Sequence, residues 1–337
     1  MRIVLDGMGG DNAPQVVVEG AVAATKEMLH EIIIVGQEEA INECLKNTGY
    51  TGDKISVVNA TEVITNEEAP VRAVRSKKDS SIVKGINMVK AGEGDVFISA
   101  GSTGALLAGG LFILGRIQGI DRPSLATIYP VIGSEPSLLT DAGANAECKP
   151  NNLLEFGIMG SVYMEKVIGR ENPTVGLVNN GSEENKGTTL TKAAHEMLKK
   201  SHLNFIGNVE ARELPNGACD VIVADGFTGK AILKLTEGMG LMFLRELKKR
   251  FFADTKSKLG ALLLKRQLMG IKTEMNYSEY GGAPILGVKG ALLKMHGSSD
   301  ALAVKQTIMK AIPYVEGKVV EIIESSVLEI EDIVTAE

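Results

Sequence analysis

Residues 1–14 read MRIVLDGMGGDNAP, an apolar run (Arg2–Leu5) that breaks into three closely spaced glycines and ends on a proline. Four successive apolar or long side chains without alternation suit a strand buried on both faces. Pro14 then opens a helical pattern running to His30, where a proline at the first turn loses no hydrogen bond. Strand, glycine turn and helix within thirty residues predict an α/β fold.

The same unit recurs along the chain. Short apolar runs occupy Ile32–Val35, Ile55–Val58, Val96–Ile98, Leu125–Tyr129, Leu138–Leu139, Val175–Val178, Phe205–Ile206 and Val221–Val223. Helical patterns follow most of them, over Glu38–Lys46, Ser80–Lys90, Thr103–Leu114, Asn152–Val167, Lys186–Lys200 and Thr228–Arg250. Such alternation predicts a mostly parallel sheet with helices on both faces. No repeat, low-complexity linker or clear domain boundary appears, so residues 1–337 are read as one α/β unit.

The chain has 337 residues, 44% of them hydrophobic, enough for a large core. Its 36 Lys and Arg stand against 42 Asp and Glu, a net charge of −6 that disfavours broad nucleic-acid binding. Cys44, Cys148 and Cys219 are far apart and match neither a zinc spacing nor a disulfide framework, so reduced structural thiols in a cytoplasmic protein are expected. The start has no secretory apolar stretch and no run of about 18 apolar residues occurs.

Ligands of parallel α/β sheets bind beyond the carboxyl ends of the strands. The turns at those ends are the candidate site. Gly9, Gly10 and Asp11 follow the first strand, where glycine permits close backbone approach. The dinucleotide fingerprint is broken, since Asn12 stands at its third glycine. Ser102, Thr103 and Gly104 precede a helix, where they serve either as a capping turn or as an anion site. Asn145 lies in the turn Asp141–Asn145. Asn179, Glu183 and Lys186 lie in NNGSEENKG (179–187). A lysine at a helix start opposes the dipole unless an anion offsets it, or it is simply solvated. Asp225, Gly226, Phe227 and Gly229 form DGFTG, which lacks the first glycine and the hydroxyl of a phosphate-binding Walker loop. Gly282 and Ala283, and then His296 and Ser298 in HGSS (296–299), complete the set.

Seven blocks in order, DGMGGDNAP (6–14), SAGSTGA (99–105), DAGAN (141–145), NNGSEENKG (179–187), DGFTG (225–229), YGGAPILGVKG (280–290) and HGSS (296–299), resemble the bacterial family of acyl-carrier-protein:phosphate acyltransferases of phospholipid synthesis. The resemblance implies a fold shared with phosphate acetyltransferases and isocitrate-type dehydrogenases. It implies transfer of an acyl group from acyl carrier protein to inorganic phosphate, homodimers, peripheral membrane association, and no metal or other cofactor. The acyl phosphate would pass to a membrane glycerol-3-phosphate acyltransferase. After DGFTG this family usually carries Asn, whereas this chain has Lys230.

Phosphate is its own nucleophile in such a reaction, so the chain has only to position a dianion and stabilise an oxyanion. Lys186, His296 and Asp225 are the candidate catalytic groups. A histidine near its ordinary pKa of roughly 6.5 is suited to hydrogen bonding at working pH, and the aspartates are read as orienting groups. Rival readings are a phosphate acetyl- or butyryltransferase using coenzyme A, an NAD-dependent dehydrogenase, and a non-catalytic scaffold.

One segment, 241–275, differs in texture. Nine Lys or Arg and two acids lie between Arg245 and Lys272. Ala261, Leu264, Leu268, Ile271 and Met275 share a helical stripe, broadened by Leu262 and Leu263 and edged by Lys265 and Arg266. A protruding basic amphipathic helix is expected, meeting a second copy, an anionic membrane surface or the carrier protein.

Overall fold

A computed structural model of the chain describes residues 1–264, 266, 270 and 282–335. Instead of one sheet, the described residues form two. The first has the order β3 (Ile55–Asn59), β2 (Glu31–Gly36), β1 (Arg2–Asp6), β4 (Val96–Ser99), β12 (Ala291–Lys294), β11 (Ala283–Leu286), β5 (Ser124–Leu125), and the second β6 (Thr127–Tyr129), β7 (Ser137–Thr140), β10 (Val221–Val223), β8 (Thr174–Asn179), β9 (Asn204–Glu210). β1 (Arg2–Asp6), β2 (Glu31–Gly36), β3 (Ile55–Asn59) and β4 (Val96–Ser99) run parallel, as the continuous apolar runs imply.

The single run expected over Leu125–Tyr129 is two strands, β5 (Ser124–Leu125) and β6 (Thr127–Tyr129), one in each sheet. The chain changes sheet at Ala126, which is fully buried and donates its amide to Pro284 O at 3.0 Å. β6 is antiparallel to β7 (Ser137–Thr140). β8 (Thr174–Asn179), β9 (Asn204–Glu210) and β10 (Val221–Val223) complete a parallel second sheet with β7. β11 (Ala283–Leu286) and β12 (Ala291–Lys294) return to the first sheet, where β11 is antiparallel to both β12 and β5. β12 pairs parallel with β4 and so points its carboxyl end the same way as β1 and β4.

Helices cover these strands: α1 (Gln15–Thr25), α2 (Glu38–Thr48), α3 (Pro70–Ser76), α4 (Ser81–Lys90), α5 (Thr103–Gly109), α6 (Pro150–Tyr163), α7 (Thr189–Lys200), α8 (Gly226–Phe251) and α9 (Thr255–Leu263). Two more, Ala301–Glu316 and Val319–Thr335, end the chain. One buried apolar cluster includes Leu5 and Ile98 of the first sheet, Phe156 of α6, and Leu138 and Val175 of the second. α6 is buried on almost all sides, which its lack of a polar face anticipates.

The expected continuous helix over 241–275 is broken. α8 ends at Phe251 with Arg250 in its last turn, and Asp254 starts α9 by accepting from the Ser257 amide at 2.8 Å. Of the 26 residues of α8 only Gly226, Gly229 and Gly240 are buried, while Leu241, Phe243 and Met242 are exposed. Leu262 and Leu263 lie exposed at the end of α9, and Arg266 is exposed beyond it. Lys265 and Leu268, like Ile271, Lys272 and Met275, lie outside the described residues. Among the described residues, no helix is long and apolar enough to cross a membrane.

Candidate active site

The carboxyl ends of β1, β4 and β12 in the first sheet face the end of β7 and the first turns of α8 in the second. Between them lies a cavity of about 440 Å³. Three short loops meet at its floor. Gly9 lets them converge, because a Cβ there would stand 2.6 Å from Gly101 N and 2.4 Å from Asp6 Oδ2. Gly10 has φ +103° and a Cβ would stand 3.0 Å from Gly297 O, so this position requires glycine on both counts. These glycines shape the floor and carry Asp11, which does line the cavity and donates its amide to Gly297 O at 2.7 Å.

Behind the floor sits Asp6, buried and accepting from Ser99 Oγ at 2.6 Å and from the Met8 amide at 3.1 Å. Burial pushes its carboxyl above the usual range, against the donors that hold it down. The floor also holds Lys294, at the end of β12. Its Nζ donates to Ala100 O at 3.2 Å and to Met295 O. Burial lowers this amine to about 8, while Asp6 and Asp11 act to keep it charged. Sequence reading passed over Lys294. The available signal was a lysine closing the apolar run ALL immediately before the Met-His-Gly turn, at the strand end where ligands bind.

Across the cavity Lys230 enters from the first turn of α8, its stem over Gly143, where a Cβ would meet Lys230 Cδ at 2.9 Å. The Lys230 amine has no ion-pair or hydrogen-bond partner among the described residues. Its neighbour Lys234 is spent on Glu237 at 2.7 Å. The lining therefore carries three ammonium groups against two carboxylates, Asp11 and Glu237, with one amine unpaired on each wall.

His296 lies exposed at the cavity, with Nδ1 2.8 Å from Ser298 Oγ and 3.3 Å from the Ser298 amide. A backbone N–H can only donate, so Nδ1 accepts and the neutral ring carries its proton on Nε2. That leaves Nε2–H as the donor open to a ligand. Ser298 is thus an orienting residue outside the lining, and its buried neighbour Ser299 lines the cavity instead. Thr103 lines it too, whereas Ser102 is spent on the helix start, its Oγ accepting from Ala105 N at 3.4 Å. Ala283 lines the cavity; Gly282 packs against Thr307, and Gly104 against Pro70.

Other expected site residues have structural partners. Asp225 caps α8, accepting from Thr228 N at 2.9 Å and Thr228 Oγ1 at 2.7 Å. Gly226 and Gly229 let α8 abut the Asp141 turn, since a Cβ on Gly229 would stand 2.0 Å from Asp141 O. Asn145 is buried and donates to Pro123 O at 2.8 Å and Asp141 Oδ2 at 3.0 Å. Phe227 is 72% exposed and outside the cavity. Asn179 ends β8, Glu183 and Lys186 belong to the loop after it, and none of the three lines the cavity; Lys186 is exposed. Asn66 and Thr127 line it without having been singled out, and neither sits in a motif that would have drawn notice.

None of the three thiols is poised to react. Burial pushes Cys148 up to about 11 and Cys219 to about 12, and raises Cys44. His195 is buried, its Nδ1 3.0 Å from Asn208 Oδ1 and its ring edge-on to Phe205.

Comparison with known proteins fits this layout. The chain resembles a phosphotransacetylase from Streptococcus pyogenes with a TM-score of 0.62 at 18% identity, covering 94% of each chain. It resembles a 4-hydroxythreonine-4-phosphate dehydrogenase from Klebsiella pneumoniae with a TM-score of 0.52 at 10% identity, covering 94% of this chain and 99% of that one. At these identities the likeness is one of fold. In sequence, the chain is 53% identical to a phosphate acyltransferase of Clostridioides difficile (strain 630) over 95% of its length and 94% of the relative's. It is 54% identical to a phosphate acyltransferase of Alkaliphilus oremlandii (strain OhILAs), over 98% and 99% of the two. Residues 1–322 match the family model described as fatty acid synthesis protein. The chain belongs to the fatty acid synthesis protein family, among its phosphate acyltransferases.

Proposed function

We propose that this chain transfers a long acyl group from acyl carrier protein to inorganic phosphate in the cavity between its two sheets, feeding acyl phosphate to glycerol-3-phosphate acylation. The observation that carries this reading is the pair of amines, Lys294 and Lys230, entering one cavity from opposite walls beside Thr103 and His296. A phosphate dianion neutralises both and accepts from the hydroxyl. One phosphate oxygen attacks the thioester carbonyl carbon, the C–O bond forms, and the C–S bond breaks from the tetrahedral intermediate. His296 Nε2–H serves as the donor to the developing oxyanion or to the departing sulfur. A thiolate leaves readily, so no strong general acid is required. The raised thiols favour direct attack by phosphate over a thioester-linked acyl-enzyme.

The test is phosphate-dependent release of carrier-protein thiol, with the acyl phosphate trapped by hydroxylamine. A signal with carrier protein and none with a short coenzyme A thioester supports the reading. The reverse assigns the chain to coenzyme A chemistry.

The outer surface of α8 and α9 supports a second element of the proposal. Leu241, Phe243, Leu262 and Leu263 are exposed together with Arg245, Lys248 and Lys249. Apolar and basic residues mixed in this way suit pairing with a second copy along α8 and peripheral contact of the α9 tip with an anionic bilayer. Leu262→Ser with Leu263→Ser is expected to abolish co-sedimentation with anionic vesicles; retained binding would remove the membrane contact.

A further inference from the structure

The carrier protein needs a place to dock near the cavity mouth, and the chain as a whole carries a net charge of −6. An acidic partner is repelled by such a surface except where basic groups gather. α3 supplies such a place. Arg72, Arg75 and Lys78 are all exposed on it or just past its end. Arg72 has no ion-pair partner among the described residues. Among the described residues, the Lys78 amine bonds only the carbonyl of Val74, at 3.4 Å. The Arg75 guanidinium lies 5.0 Å over the ring of Phe112, itself 53% exposed. Val71 is 44% exposed on the same helix. Of the two acids leading into α3, Glu68 is taken by Lys77 at 2.8 Å and Glu67 is exposed.

This patch adjoins the cavity by two routes. Asn66, in the segment leading into α3, lines the cavity. Pro70, the first residue of α3, packs against Gly104, next to the cavity-lining Thr103. From Thr103 to Phe112 is nine residue steps along α5 and the π-helical turn Gly110–Leu114 that continues it, roughly 13 Å at the usual helical rise. A thioester on a long flexible arm spans that distance while its protein rests outside.

We propose that the basic face of α3, with Phe112 beside it, is the docking surface for the acidic carrier protein that delivers the acyl group. Unpaired cations meet the partner's carboxylates, and Val71 with Phe112 give a small apolar centre to the contact. The inference rests on the proposed reaction, so wild-type turnover with acyl carrier protein is established first; its absence would count against that reaction and not against the docking surface.

The experiment reverses charge with Arg72→Glu and Arg75→Glu together. The KM for acyl carrier protein should rise at least about tenfold and lose most of its dependence on ionic strength, as expected for a steering contact. The KM for phosphate and turnover of a carrier-free long-chain acyl pantetheine thioester, supplied at high concentration, should stay within about twofold of wild type. Lys78→Glu alone should give a smaller rise of the same kind. An unchanged KM for the carrier protein would overturn the proposal. So would equal loss with the carrier-free thioester, which would mark structural damage. A third overturning result is a larger effect from Lys248→Glu with Lys249→Glu on α8, or loss of vesicle binding in the α3 variant without change in the carrier KM.

Discussion

Replacing Lys294 with Met keeps the apolar stem and removes only the charge. Two of the amine's three protons are spent on the carbonyls of Ala100 and Met295, leaving the third and the charge for a ligand. A hydrogen bond to a charged group contributes about 1.5–3 kcal/mol, so the KM for phosphate should rise about 10- to 150-fold. The KM for the acyl donor should hardly move. The same amine, held near 8 by burial, loses its proton as pH rises, so the wild-type phosphate KM should climb above about pH 8. Asp11 on the loop after β1, His296 on its own loop, and Lys230, Lys234 and Glu237 on α8 face the same cavity, with Asp6 at the end of β1 buried behind its floor. In the Met variant that alkaline limb should vanish.

Stability supplies the control. A base at about 8 in the fold and 10.5 when unfolded binds fewer protons folded between those values, so its contribution to stability rises with pH across that window. Below about 8 it costs on the order of 3 kcal/mol. The variant is relieved of that cost but leaves two carbonyls without a donor, at about 1–3 kcal/mol each. Its melting temperature should therefore shift only by a few degrees. Phosphate titration of thiol release, repeated across pH, reads both kinetic effects. A phosphate KM within twofold of wild type, with the alkaline limb retained, would refute the assignment of Lys294 to phosphate.

Three further outcomes follow from the same geometry. His296→Ala should lower kcat about 10- to 100-fold with little change in the phosphate KM, whereas Ser298→Ala, which removes only the orienting hydroxyl, should cost about 2- to 10-fold; equal effects on steady-state kcat would contradict this division. Gly229→Ala places a Cβ 2.0 Å from Asp141 O and should lower stability by about 1–3 kcal/mol, seen in thermal melts. Glu155, pushed up to about 7 by burial, is penalised as pH rises from its usual 4.5 through 7. Glu155→Gln should therefore gain on wild type between pH 5 and pH 8 in melting temperature, and a constant difference between the two would exclude the effect.

The parallel strands were readable because burial on both faces makes them unbroken apolar runs, as in β1, β2 and β10. Their division into two sheets was not, because nothing in LATIY (125–129) marks a crossing: Ala126 is apolar like its neighbours, and only its pairing to Pro284 separates β5 from β6. β11 is hidden inside a glycine-rich block (280–290) that reads as a ligand turn, and β12 follows directly after it. Among site residues, the glycine turns after β1, β4 and β12 meet at the cavity, where close approach of the loops favours glycine at 9 and 10, whereas none of Asn179, Glu183 and Lys186 lines it. Which polar residues face it depended on partners supplied from far along the chain. Thr228 occupies Asp225, Pro123 and Asp141 occupy Asn145, and Ala105 occupies Ser102, while Lys294, though bonded to two carbonyls, lines the cavity from a strand end that no motif covers. The long basic segment was legible in composition, but the break at Asp254 depended on a cap that the apolar stripe concealed.

The crossing at Ala126 also works as a gauge block. Leu125 gives its amide to Asp141 Oδ1 at 3.1 Å and receives the Ala142 amide at 2.7 Å, so the edge of one sheet is pinned to the strand end of the other within a single residue of the changeover. Lys294 stands on one side of this pin and Lys230, braced over Gly143, on the other. The backbones that carry the two amines are thereby held without a linker between the sheets to stretch. Sliding the sheets apart would break the buried Asp141 bonds, so any adjustment to the size of a ligand falls to the two lysine stems.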